Sequence, residues 1–306
     1  IILFINELEN IIEYFKEIKN TKLQNILIKK LQPNIYSTLI YLKESYLPKC
    51  KINIGLINTQ NGKELYELLL YKYTNKNKSE LLNIAEENIN ILLSKLSKLN
   101  NNKQEINFDF DKIYNKINKQ IEDKILPQYF NKKKNIVPFI LKKTNSETKY
   151  ILPEILGSRP GIIEISNKET KNNSYYNILT LLTPGLHYQY GLFMNNKNPL
   201  FRIDSFPLST NGWHLFCSNL GYYNNNQLIY KIRKDLLYTS FIILDLGIHL
   251  NNWTYNKSFL YLKDITSSWL NNREIHSYIQ KIISKPGYYL SFKIGELNIN
   301  NLEKKC

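Results

Sequence analysis

The chemistry open to this chain turns on its four histidines and on two stretches that hold two of them. Residues 178–190 read Ile-Leu-Thr-Leu-Leu-Thr-Pro-Gly-Leu-His-Tyr-Gln-Tyr, and residues 210–220 read Thr-Asn-Gly-Trp-His-Leu-Phe-Cys-Ser-Asn-Leu. A catalytic zinc helix needs two imidazoles on one face, a carboxylate beside the first, and a third protein ligand from another segment. The metal then brings the pKa of its bound water toward neutrality while the carboxylate acts as general base. A sequence spelling HExxPGHH, followed some tens of residues later by EGW, meets these demands. This chain keeps the frame of that pattern but not its chemistry.

The segment resembles the large, mostly bacterial family called domain of unknown function 885, whose members carry HExxPGHHLQ and look like helical zinc metallopeptidases. Pro184 and Gly185 match the family's Pro-Gly, His187 its second adjacent His, and Gln189 its Gln. In the same register Thr180 stands where the first His ligand belongs, Leu181 where the general-base Glu belongs, and Leu186 at the first His of the pair. Asn211-Gly212-Trp213 matches Glu-Gly-Trp, so the third ligand has become an amide. Arg159-Pro160-Gly161 with Asn167, Asp245-Leu246-Gly247-Ile248-His249 with Trp253, Pro286-Gly287, and Phe292-Lys293-Ile294-Gly295-Glu296 extend the match. With Gly62 to Tyr66 and Tyr73-Thr74 it spans about residues 42 to 306. The resemblance implies a mainly α, helical zinc-metallopeptidase-like (gluzincin-like) fold with a small β-sheet element. Relatives usually carry a further N-terminal helical region, which is expected to be missing or shortened here.

Neither Thr180 nor Asn211 competes with imidazole and carboxylate for zinc at neutral pH, and Leu181 cannot activate water. Loss of the base alone removes a factor of about 10²–10⁴ from the rate. The expectation is therefore a pseudoenzyme with no catalytic residue, bound metal or cofactor, acting as a structural or peptide-binding subunit of a larger assembly. The competing reading is a metal-dependent peptidase or hydrolase with a rearranged site, rebuilt for example from His187, His214 and His249. By resemblance His187 is ligand-side, His249 stabilises an oxyanion, and Phe292 has lost the hydroxyl of a Tyr. Without metal, both histidines are expected to be hydrogen-bonded inside the fold. Trp213 and Trp253 should brace the cleft, Arg159 either binds a substrate carboxylate or pairs with an internal acid, and Cys217 reads as a buried thiol.

Composition agrees with a globular protein: 306 residues at 43% hydrophobic content can build a substantial core. A formal net charge of +15 favours acidic partners, including an RNA-containing assembly. The basic residues are dispersed, however, with Lys132-Lys133-Lys134 the densest run and no RNA-binding signature beside it. Cys50, Cys217 and Cys306 form neither a CxxC motif nor a disulfide framework, which favours an intracellular or organellar setting. No apolar run reaches membrane-spanning length, and Leu236 to Leu250, with Asp245 and His249 inside it, reads as a buried helix. The chain opens on Ile1, without Met and without the order of a signal peptide.

These side chains must be positioned by two regions, an N-terminal helical part over 1–130 and a metallopeptidase-like core over 131–306, joined as one continuous domain. Ile5, Leu8, Ile11, Ile12, Phe15 and Ile18 recur at helical spacing, and Pro33 with Ile35 to Leu47 predicts a second helix and a hairpin. Further helices are predicted over Gly62 to Lys72, Ser79 to Leu99 with Ser79 as N-cap, and Asp111 to Leu126. Asn100 to Asn102 reads as a surface turn, and the aspartates of Phe108-Asp109-Phe110-Asp111 as helix-start caps. Short β-prone pieces, Ile136 to Leu141, Tyr150 to Leu152 and Gly161 to Ile165, are punctuated by Pro153, Gly157 and Pro160. An edge strand there could hold an extended peptide by backbone pairing.

Overall fold

The computed structural model describes residues 2–49, 53–99, 109–129, 138–145, 147–154, 158–196, 198, 200, 206–266 and 269–305. The Lys132 to Lys134 run, the Asn100 to Asn102 turn, Phe108, Ile136, Gly157, Cys50 and Cys306 lie outside them. The chain divides into two compact units, Ile1–Asn53 and Ile54–Cys306.

In the first unit α1 (Ile2–Glu17) folds back on a second helical arm, and Ile5 and Ile12 pack against Leu39 and Leu42. That arm begins earlier than Pro33. It starts with α2 (Thr21–Ile26), where Asn20 accepts a hydrogen bond from the Leu23 amide at 3.0 Å. A π-turn over Leu27–Leu31 leads directly into α3 (Gln32–Ile40), and Pro33 falls in the first turn of that segment. The helical backbone is continuous through this junction, and the wider π-turn, in which the Gln32 amide reaches back to the Leu27 carbonyl, accommodates a following residue that has no N–H to give.

The second unit opens with α4 (Gly62–Thr74) and α5 (Lys78–Ser97). Asn77, not Ser79, caps α5: Asn77 Oδ1 accepts from the Glu80 amide at 3.0 Å, and Glu80 Oε2 accepts from the Asn77 amide at 2.9 Å. This reciprocal box satisfies two otherwise orphaned amides, which a lone Ser79 cap could not do. In α6 (Phe110–Gln120), Asp109 accepts from the Lys112 amide at 3.2 Å, so its carboxylate is used as a cap. A π-turn over Ile121–Ile125 continues into α7 (Leu126–Tyr129).

Strands β1 (Phe139–Thr144), β2 (Lys149–Ile151) and β3 (Gly161–Ser166) form a small sheet in the order β1-β3-β2. β3 is parallel to β1, with Phe139 opposite Gly161, and antiparallel to β2, with Tyr150 opposite Ile163. The rest is helical: α8 (Lys171–Asn177), α9 (Leu186–Met194), α10 (Pro207–Cys217), α11 (Asn225–His249), α12 (Tyr255–Thr266), α13 (Asn272–Ser284) and α14 (Leu290–Glu303). α11 is the central element. α5, α8, α12, α13 and α14 all pack on it, and most of its residues from Asp235 to His249 are buried. Among the described residues no helix is long and apolar enough to cross a membrane.

Candidate functional site

The segment with the zinc-helix frame is built from α8, a π-turn over Ile178–Leu182, and a tight turn at Thr183 to Gly185 that feeds α9. Gly185 is required there, because a Cβ would lie 2.0 Å from the Thr180 carbonyl oxygen. Thr180 is fully buried and its hydroxyl donates to the Tyr176 carbonyl at 2.9 Å. Leu181 beside it is a buried apolar side chain. Leu186 opens α9, half-buried, and the buried His187 follows it.

His187 faces the sheet. Its Nδ1 meets the Tyr150 hydroxyl at 3.0 Å, and its ring stands edge-on to Phe139 and Tyr150, with centroids 5.2 and 5.6 Å away. The Arg-Pro-Gly motif makes room for this contact, since a Cβ on Gly161 would fall 2.2 Å from the Tyr150 hydroxyl. Arg159 forms no ion pair with an acid among the described residues. Its guanidinium donates to the carbonyls of Leu152 at 2.7 Å and Pro160 at 3.1 Å, which fixes the loop ahead of β3.

α10 carries Asn211, Trp213 and His214 against α14. The two helices meet backbone to backbone: a Cβ on Gly212 would lie 2.6 Å from the Cα of Gly295. This close approach lets Asn211 Nδ2 donate to Ser291 Oγ at 2.8 Å. Trp213 Nε1 donates to the Pro184 carbonyl at 2.9 Å and so ties α10 to the turn before α9. His214 Nδ1 lies 3.2 Å from the Thr180 carbonyl, which can only accept, so the proton sits on Nδ1. Burial lowers the His214 pKa to about 4, with the Lys234 charge acting in the same direction, so the ring is neutral at pH 7. Phe292 stands edge-on to it at 5.8 Å and stacks on Tyr238 at 4.7 Å. Cys217 closes α10 as a buried thiol whose pKa burial pushes up.

His249 lies in a separate buried nest. Its Nδ1 accepts from the Leu56 amide at 3.2 Å, so Nε2 carries the proton and donates to the Ile282 carbonyl at 3.3 Å. Both ring nitrogens are committed to the backbone, and burial lowers the pKa to about 4. One turn earlier on α11, Asp245 accepts from the Tyr66 hydroxyl and from the Gly287 amide at 3.0 Å. Burial pushes its carboxyl from 3.8 up to about 7, against the pull of those two donors. Trp253 packs on Gly247, where a Cβ would fall 2.4 Å from the indole, and meets Tyr261 at 5.3 Å.

The structure thus brings Thr180, His214 and Phe292 together, while His187 and His249 are each held by their own partners. Among the described residues no three of His, Cys, Asp and Glu gather as a group able to hold a metal. A threonine bonded to its own helix, a leucine and an amide bonded to a serine do not fit zinc. Sequence reasoning missed a second constellation beside this one. Tyr230, Lys234 and Tyr238 recur every fourth residue on α11 and therefore share one face, a spacing that could have flagged them.

The sequence pattern of the bacterial proteins of unknown function termed DUF885 matches residues 94–306. No curated protein matches the chain. Among solved structures, a candidate lipoprotein from Colwellia psychrerythraea superimposes with a TM-score of 0.75 at 17% identity, over 99% of this chain and 60% of that one. A candidate lipoprotein of unknown function from Shewanella oneidensis gives 0.62 at 13% identity, over 97% of this chain and 63% of that one. The chain therefore shares their fold and spans about three fifths of their length.

Proposed function

The chain belongs to the DUF885 family, and from that premise we propose that it is a metallopeptidase-like protein that has lost zinc chemistry and works as a structural or peptide-binding subunit. One observation carries the reading: the side chains at the ligand and base positions are chemically inert and already engaged in the fold. Thr180 donates to Tyr176, Asn211 donates to Ser291, and Leu181 has no proton to take or give. His249, the inherited candidate for steadying an oxyanion, spends its Nε2 proton on the Ile282 carbonyl. A scaffold in this condition can still present surfaces. The first unit exposes Phe4, Ile11, Leu23, Ile26, Leu31 and Ile40, apolar side chains that a protein partner could cover, and this supports the subunit role.

The test is metal content measured together with hydrolysis. The protein is loaded with zinc, dialysed, and assayed against a mixed fluorogenic peptide pool with and without chelator. Substoichiometric zinc and no chelator-sensitive cleavage are expected. Stoichiometric zinc, removed by chelator together with peptide cleavage, would establish instead a metal-dependent hydrolase with a rearranged site. Size-exclusion and copurification then separate the two versions of the proposal. A peptide binder elutes as a monomer, whereas an assembly subunit brings fixed partners with it.

A further inference from the structure

The first unit contains a helical stretch that no core of this chain covers. Over Thr21–Ile26 and Leu27–Leu31, which are α2 and the π-turn after it, not one residue is buried. Leu23, Ile26, Ile28 and Leu31 stand there 37 to 48% exposed. A helical stretch this short is marginal in water unless it packs an apolar face on something. Gln24 donates to the carbonyls of Phe15 at 3.2 Å and Lys16 at 2.9 Å, which ties the stretch to the end of α1 without covering it. α1 has a matching surplus. Its inner face, with Ile5 and Ile12, is buried against Leu39 and Leu42, but Phe4, Ile11 and Tyr14 are 42 to 63% exposed. Their spacing places them on one second face of the helix, with the exposed Glu7 among them.

Charge separates the two surfaces. α1 carries Glu7, Glu9, Glu13 and Glu17 against Lys16 alone, whereas residues 21–31 carry Lys22, Lys29 and Lys30 and no acid. Glu9 is taken by Lys43 and Glu13 by Lys16. Among the described residues no ion pair engages Glu7, Glu17 or the three lysines. Both surfaces are exposed, so they do not cover each other within one chain. A second copy supplies what each lacks. Laying α1 on α1 would set acid against acid, and laying the basic stretch on itself would set lysine against lysine. The crossed arrangement brings opposite charges together over apolar side chains, and a two-fold axis makes its two contacts identical.

We propose that two copies of this chain associate through their first units, the acidic outer face of α1 in each covering the basic 21–31 stretch of the other, so that two hairpins close into a four-helix arrangement. The inference rests on the subunit reading above, to which it gives a partner.

The experiment is sedimentation velocity on the full chain over a concentration series reaching about 50 μM, where the unaltered protein is expected to dimerise with a dissociation constant of about 10 μM or tighter. Two double variants carry the test: Glu7→Lys with Glu17→Lys reverses the free charge of α1, and Lys22→Glu with Lys30→Glu reverses that of the basic stretch. All four positions are exposed, so the fold should be kept, which circular dichroism checks. Each double variant alone should self-associate at least about tenfold more weakly, because its two contacts then set like charges together. Mixing the two in equal amounts should restore the dimer, since each reversed surface then meets a complementary one. A monomer throughout the series overturns the proposal, as does a dimer that neither reversal weakens, or a mixture that associates no better than its components. A chain that is monomeric alone yet copurifies from its source with a different fixed partner overturns this inference and leaves the subunit reading standing. Zinc uptake with peptide cleavage defeats the inactive-scaffold reading whether or not the protein dimerises.

Discussion

Replacing Asp245 by Asn should make this protein less sensitive to alkaline pH, and the size of the effect follows from the acid's surroundings. Asp245 is fully buried, accepts from Tyr66 and Gly287, and has its carboxyl pushed from 3.8 to about 7. A carboxyl whose folded pKa lies above its unfolded value stabilises the fold while protonated. That stabilisation is complete below the unfolded pKa and is lost as pH rises through the folded one. For the span from 3.8 to about 7 the full effect is roughly 4 kcal/mol, of which about 3 kcal/mol disappears between pH 5 and pH 8. Asn keeps an oxygen for Tyr66 and Gly287 but cannot ionise. Urea unfolding of both proteins at several pH values between 5 and 8 measures the difference directly, and terms common to both cancel. The stability gap should move toward the variant by about 3 kcal/mol across that range. A gap that stays constant with pH would refute the assignment of a raised pKa to this buried acid.

Gly212→Ala should destabilise the fold by about 1–3 kcal/mol, because its Cβ would meet the backbone of Gly295 at 2.5 Å and neither helix has a flexible group to yield; chemical denaturation reads the loss. Asn77→Ala should cost about 1 kcal/mol through loss of the capping box, while Ser79→Ala should change melting far less. His214, lowered to about 4, contributes stability present above pH 6.5 and lost as pH falls through about 4, worth roughly 3 kcal/mol. His214→Gln should therefore flatten the acid limb of the stability curve measured between those pH values.

The amphipathic stripes of α1, α5 and α6, the three strands and the Asp109 cap were legible in the sequence because each is a local effect, set by residues within one or two turns. Thr180, Leu181 and Asn211 were singled out for another reason: the Pro-Gly turn and the Asn-Gly-Trp segment set the register in which they are proposed to stand at former ligand and base positions. What escaped notice depends on long-range contact. Arg159 could not be assigned because its acceptors, the Leu152 and Pro160 carbonyls, depend on how the loop before β3 closes. The Asp245 nest needs Tyr66, which is far away along the chain but adjacent in space. Pro33 looked like a helix start because nothing local announces the π-turn that precedes it. Lys234 was one dispersed lysine among many until α11 and α13 set Tyr230, Tyr238 and Tyr278 about it.

The glycine pair where α10 crosses α14 has a mechanical consequence. Two chains resting on one another with no side chain between them have a single seat: moving either along its axis by one residue would force a bulky neighbour into space that holds none. Asn211 and His214 ride on one of these helices and Ser291 and Phe292 on the other, so their spacing is fixed as in a clamped joint.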